Sequence, residues 1–201
     1  MIKVYKTYFS HLSIKIYLVL NIFILLYLIK SESLTKYYYM FFVLLLAPFY
    51  EWIVHKYFLH KPFESKNPKI QQYYDSIHRS HHRGPKNIEL VFAPISIGLL
   101  TPIIFFLLPL MITFNFHLAL TCSYFSLCYF LYYEWTHLSH HMDHYIPPTK
   151  WGKILKKSHT WHHHKNENLW WGVTNILGDI ILKTYHDPKE IKASKTVRKI
   201  W

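Results

Sequence analysis

Long apolar runs separated by densely polar ones leave this chain few ways to fold. Leu12 to Ile29 is apolar apart from Ser13, Lys15 and Asn21. As a helix this run reaches about 27 Å, close to the hydrocarbon thickness of a bilayer. Similar runs follow over about 37–54 and 90–108, and after Pro109 over about 111–133. In lipid every backbone polar group must be bonded inside its own segment, so each run is expected to be helical. The expected fold is all-α, with four transmembrane helices in a single membrane-embedded domain over residues 1–201. A cleaved signal peptide, with Ser31 and Ser33 as small residues for cleavage, is the other reading of the first run, but that run is longer than a usual signal core.

Composition agrees with this segregation, since half of the residues are apolar (51%) yet the mean hydropathy is only +0.04. Cys122 and Cys128, six apart in one apolar run, would point in different directions on a helix and imply no disulfide framework. Lys and Arg number 23 against 11 Asp and Glu, but the basic residues alternate with the apolar runs, so the charge is read as membrane topology and not as a nucleic-acid surface. With a cytoplasmic N-terminus, and Lys15 counted with it, 21 of the 23 fall on the cytoplasmic side; Lys30 and Lys36 are outside. Trp151, Ile154 and Leu155 interleave with Lys150, Lys153, Lys156 and Lys157, as suits a helix in the headgroup region or an ordinary solvated amphipathic one. The apolar stretch 168–185 is broken by Gly172 and Gly178 and is expected to pack under the polar region or on the lipid surface. A basic, loosely ordered tail is expected from about 187, ending in Arg198-Lys199-Ile200-Trp201, faintly like a retrieval signal of the endoplasmic reticulum.

The polar stretches carry a duplication. The chain has 16 histidines, and most fall in four short clusters. Tyr50-Glu51-Trp52 is followed by His55 and His60, then by His78, His81 and His82. Tyr133-Glu134-Trp135 is followed by His137 and His141, then by His159, His162 and His163, and the long gap is 18 residues in both copies. Two equivalent half-sites are implied, each at the foot of a helical hairpin.

Residues at i, i+3 and i+4 share a helix face, so His78, His81 and His82 should converge, as should His159, His162 and His163, and the pair His137 and His141. His55 and His60, five apart, require a kink, a wider helical turn or two different metals. One metal rarely takes more than six ligands, so ten imidazoles argue for two metals with about five each and with positions left open for oxygen. Four ligands, often including Cys, satisfy a structural zinc site, so redox-active iron fits better, with zinc as a substitute metal. Glu51 and Glu134 precede His55 and His137 by four and three residues and could accept the second ring N–H of a ligand, or simply be charges at a span boundary. His140, His144 and His164 stand beside motif members as adjacent groups or alternate ligands, whereas His11, His117 and His186 stand alone.

These residues resemble the fatty acid hydroxylase/sterol desaturase superfamily of integral membrane di-iron enzymes. The resemblance runs from Glu51-Trp52 through His78-Arg79-Ser80-His81-His82, Tyr133-Glu134-Trp135-Thr136-His137 and His159-Thr160-Trp161-His162-His163. It continues through Lys165-Asn166-Glu167-Asn168, Trp171-Gly172-Val173-Thr174 and Gly178-Asp179, about 50 to 185 in all. It implies a cytoplasmic histidine-rich helical cap, two iron ions and O2 as co-substrate, and adds Asn166, Glu167 and Asp179 to the residues expected around the ligands. It also implies a lipid substrate entering from the bilayer and a separate electron donor, cytochrome b5-like or ferredoxin-like. Pro85 with Leu90, Val91 and Pro94 resembles the fatty acid hydroxylases among them. Two departures stand out: His164 occupies a position where Tyr often follows the last cluster, and the run His140-His141 leaves the ligand register open by one.

The reaction expected is O2-dependent hydroxylation of a lipid acyl chain in the endoplasmic reticulum or a bacterial inner membrane. A sterol or lipid desaturase or a carotenoid hydroxylase would use the same site. A membrane zinc transporter or sensor is a reading from another class, but it would need ionisable residues in mid-span, where this chain has little beyond Lys15 and His117.

Overall fold

The computed structural model describes residues 2–32 and 38–197. Ser33, Lys36, Tyr37 and the terminal 198–201, on which some of the expectations fell, lie outside the described residues. Every regular element among the described residues is helical. The chain divides into two compact units, Met1–Ala47 with Pro94–Trp135 and Pro48–Ala93 with Thr136–Trp201.

The first unit holds α1 (Ile2–Ser10), α2 (Leu12–Lys30), most of α3 (Tyr39–Ile53), α6 (Ile95–Thr113) and most of α7 (Phe116–His141). Aromatic rings tie part of its core together. Tyr17 is fully buried, stands edge-on to Phe130 at 5.4 Å, and directs its hydroxyl to the Ile95 carbonyl at 3.4 Å. This close approach needs Gly98, where a Cβ would lie 2.0 Å from Tyr17 Oη. The Tyr8 hydroxyl donates to the Leu131 carbonyl at 2.7 Å, and Tyr5 stacks on Trp135 at 4.6 Å. The outer faces stay apolar: Phe23 and Leu26 on α2, Phe41 and Leu45 on α3, and Met111 and Ile112 on α6 are all exposed. So much exposed apolar surface suits hydrocarbon, not water.

Among the described residues, three helical segments are long and apolar enough to cross a membrane, Leu12–Lys30, Tyr39–Leu59 and Ile88–Thr113, where the sequence led us to expect four. The fourth expected run, 111–133, is not one helix. Pro109 does not end α6, because prolines within membrane helices are tolerated where other groups satisfy the freed backbone. The chain turns later, at Phe114 in the left-handed conformation (φ 52°), and Asn115 then caps the next helix by accepting from the Leu118 N–H at 3.0 Å. That helix, α7, has the length but not the composition, and its Thr121, Ser123 and Ser126 are buried inside the unit. Ser123 Oγ donates to the Pro102 carbonyl at 2.9 Å. A helix whose polar face is shielded by protein has no need to be apolar all round.

The second unit holds the end of α3, a π-helical turn over Val54–Leu59, α4 (Pro68–Ile77), α5 (Arg79–Arg83), a 3₁₀ turn at Ile88–Leu90, the end of α7, α8 (Lys150–His164) and α9 (Leu177–Ile181). Asn67 and Thr149 cap α4 and α8 through their side chains. Arg79 is buried and ties α5 to the preceding loop, donating to the Phe63 and Lys61 carbonyls at 2.9 and 3.2 Å and pairing with Asp75 at 3.1 Å. Lys156 on α8 turns inward and donates to the Met142 and Tyr145 carbonyls at 2.8 and 2.7 Å, so a basic side chain closes the C-terminal end of α7. The tail from 187 is better held than its composition suggests. Buried Glu167 accepts from Ser194 Oγ at 3.0 Å and Thr196 Oγ1 at 2.6 Å, and Lys165 donates to the Pro188 carbonyl.

Candidate metal centre

All ten motif histidines lie in the second unit and form two groups of five, with the ligand-capable atoms of each group within 4.8 Å of one another. The first group is His55, His60, His78, His82 and His162; the second is His81, His137, His141, His159 and His163. All are buried except His141, which is half-buried.

The spacing of His55 and His60 is resolved by the wider turn. Val54–Leu59 is π-helical, and the His60 N–H donates to the His55 carbonyl at 3.1 Å, an i to i+5 bond that brings both rings to one face. Each HxxHH cluster, by contrast, divides where convergence was expected. His78 and His82 serve the first group and His81 the second; His159 and His163 serve the second and His162 the first. Each copy of the repeat therefore lends its middle histidine to the other group. At 3.6 residues per turn, positions i and i+4 are about 40° apart, but i+3 and i+4 are about 100° apart, so one HxxHH can face two centres. That angle was present in the sequence and signals that the cluster can divide, but not which centre each histidine meets.

Inside the first group Nε2 atoms face one another, with His55 to His78 at 3.0 Å, His78 to His82 at 3.0 Å, His82 to His60 at 3.1 Å and His60 to His162 at 3.3 Å. In the second, His141 and His159 approach at 2.8 Å. Imidazole nitrogens about 2.0–2.1 Å from a metal and 90° apart would be about 3.0 Å from each other. The Nδ1 of His55 lies 2.5 Å from the Trp171 carbonyl and that of His162 lies 2.8 Å from the Leu169 carbonyl. Both rings must donate there, which leaves their Nε2 lone pairs pointing into the group. Neither ring nitrogen of His81 or His163 has a hydrogen-bond partner among the described residues, although both side chains are buried. The donor set fits two metal ions.

Burial holds His60, His78, His81, His82, His159, His162 and His163 well below the ordinary imidazole range, and neighbouring imidazoles push most of them further. His141 is pushed down to about 3 by burial, partly opposed by the Pro85 backbone. These rings are therefore neutral at pH 7, as metal coordination requires.

The other expected site residues divide in the same way. Buried Glu51 accepts from the Val173 N–H, from the Thr174 N–H at 3.0 Å and from the Thr174 hydroxyl, so its carboxylate holds a loop. Asp179 is fully buried and accepts from the Trp171 and Gly172 N–H groups at 2.9 and 2.7 Å and from Thr184 Oγ1 at 2.6 Å. Glu134 is buried and falls in the first unit. His140 is buried with its ring 5.3 Å from that of His159, outside both groups of five. His144 and His164 are exposed. Asn166 accepts from the Asn168 N–H at 3.0 Å, and Glu167 holds the tail. Residues to which the sequence assigned no part in the site also border the groups. The Trp171 ring stands 4.7–5.3 Å from His55, His60 and His162, and Lys86 with Lys156 and Asp143 lines a cleft that reaches His141, His159 and His163.

A search of curated protein sequences gives no significant match. Among solved structures, the chain is similar to one described as full-length scs7p with only the hydroxylase domain visible, with a TM-score of 0.74 at 20% identity, over 91% of this chain and 68% of that one. This likeness supports the fold. A family model, fatty acid hydroxylase, matches residues 39–184, which contain all ten clustered histidines. By this match over most of its length, the chain belongs to the fatty acid hydroxylase family.

Proposed function

We propose that this protein is a membrane-embedded oxygenase that hydroxylates the acyl chain of a lipid, using O2 and two iron ions. The observation that carries the reading is the pair of buried five-imidazole groups, with lone pairs converging at the spacing of ligands around a metal. Bound iron would supply oxygen activation and attack on an unactivated C–H bond. One oxygen atom enters the C–H bond and the other leaves as water, which takes two protons and two electrons from a separate cytochrome b5-like or ferredoxin-like donor. Zinc can occupy the same imidazoles without this chemistry.

The chain's own residues orient and shield. The Leu169 and Trp171 carbonyls fix the tautomers of His162 and His55, and the Trp171 ring excludes water from one side of the first group. His60, His78, His82 and His162 would hold one iron with His55, and the remaining five the other. Since each group joins histidines before α6 to histidines late in α7 or on α8, the chain must cross the membrane an even number of times between them. We read α6 and α7 as those crossings, with the histidines on the cytoplasmic face, as the distribution of Lys and Arg favours.

The test is metal analysis of purified protein together with oxygen-dependent conversion of a lipid extract. Two iron atoms per chain and a hydroxylated acyl chain are expected, with His81→Ala and His162→Ala each abolishing the product. Hydroxylation that survives either substitution would remove the site assignment.

A further inference from the structure

Leu169 to Thr174 forms a strap along the first group. Its Leu169 and Trp171 carbonyls meet the Nδ1 atoms of His162 and His55, and its indole packs on His55, His60 and His162. The strap has little regular structure of its own, and Trp170 within it takes a left-handed conformation (φ 57°). Something must therefore hold it to the precision that a metal ligand needs. Two buried carboxylates do so at adjacent pairs of residues in the loop. Asp179 accepts both the Trp171 and the Gly172 N–H, and Glu51 accepts the Val173 and Thr174 N–H groups. Four consecutive backbone donors thus end on two carboxylates. Asp179 is itself fixed by Thr184 Oγ1 at 2.6 Å, and Thr184 Oγ1 in turn receives the Trp52 indole N–H at 2.9 Å. Gly172 allows the arrangement, since a Cβ there would stand 1.9 Å from the Asn175 carbonyl and 3.0 Å from Asp179 Oδ2.

The second group leans on a different support. Pro85 and Lys86 line the cleft that reaches His141, His159 and His163, and Lys86, Asn87 and Glu89 in that stretch are exposed. Within that stretch Asn87 Oδ1 accepts from the Glu89 N–H at 3.1 Å, a bond between near neighbours in sequence.

We propose that Asp179 is a positioning residue specific to one metal: it clamps the Leu169–Thr174 strap, which aims His55 and His162 at the first site and leaves the second site to a solvent-facing loop. The inference rests on the two-metal reading of the site. Its consequence is that the two metals differ in lability, the strapped one being slower to leave.

The test compares Asp179→Asn in two backgrounds, read as release of bound zinc to a chelator, with no lipid or oxygen present. His141→Ala removes a ligand of the second group alone and leaves the first metal; His60→Ala removes a ligand of the first group alone and leaves the second. Outer partners of metal ligands commonly weaken binding about 10- to 100-fold when lost. Asp179→Asn is expected to speed release by that factor in the His141→Ala background and by less than about twofold in the His60→Ala background. Thr184→Val, a milder loosening of the same clamp, should give the same site preference with a smaller factor. Equal acceleration in both backgrounds, which general unfolding would also produce, or no acceleration in either, overturns the proposal. Wild-type protein that binds fewer than two zinc ions would instead refute the two-metal reading beneath it.

Discussion

The exchange of histidines between the two copies of the repeat can be tested directly. His81 belongs by sequence to the cluster His78-His81-His82, but its ring lies 4.4–4.7 Å from those of His141, His163 and His137, against 5.6 and 6.0 Å from His78 and His82. His81→Ala should therefore empty the second site and spare the first. Structural zinc sites with four ligands bind with about 10–16 kcal/mol, or about 2.5–4 kcal/mol per ligand if shared equally. Loss of one imidazole would then weaken the second site between about 10²- and 10³-fold. His81 is 1% exposed, so water does not readily take its place. The assay is metal per chain after equilibration with a chelator that leaves the wild type at two. His81→Ala should retain one metal. Adding His159→Ala should leave that number at one, because both residues serve the same site, whereas adding His60→Ala should bring it to zero. Grouping by sequence neighbourhood predicts the reverse, with one metal left in the His81/His60 pair and none in the His81/His159 pair. That reversed result would refute the exchange.

Three further outcomes follow from the same geometry. The histidines outside the spans are held below their ordinary range by burial, so the folded state binds fewer protons than the unfolded state. Stability of the metal-free protein should be full above about pH 6.5 and fall below it, by up to about 1.4 kcal/mol per pH unit for each such group, whereas an unfolding midpoint flat from pH 7 to pH 5 would contradict this. Gly98→Ala places a methyl group against buried Tyr17 and should cost about 1–3 kcal/mol in thermal unfolding in detergent. Tyr17→Phe should recover part of that cost, and the absence of any recovery would show that the ring is not the obstacle. Lys156→Met removes charged donors to the carbonyls at the end of α7 and should destabilise by about 1.5–3 kcal/mol; an unchanged denaturation midpoint would mean that water replaces them without cost.

Much of the site could be read directly from residue order. The duplicated spacing, with its 18-residue gaps, singled out ten of 16 histidines, and the structure gathers those ten into its two groups. Metal ligation demands a residue type at helical intervals, and both are properties of sequence. Three apolar runs were equally legible, because lipid-facing residues answer to solvent and not to neighbours. The start of α7 was misread, because the chain turns at Phe114 and not at Pro109, and its Thr121, Ser123 and Ser126 face protein, where only packing reveals which residues lipid never meets.

The partnership of histidines lay beyond the sequence. His78, His81 and His82 differ in helical angle, but which angle meets which centre depends on where α8 brings His162 and His163. His55 and His60 could share a centre only through the π turn, one of three geometries that their spacing allowed. The roles of Glu51 and Asp179 were likewise invisible. Their partners are backbone N–H groups of residues 171–174, and every residue except proline offers the same N–H. Sequence alone determined which side chains could ligate a metal and which stretches could enter lipid, since both are intrinsic to the residue. Only the tertiary structure decided which metal each histidine serves and what holds it there, since those depend on distances between segments far apart in the chain.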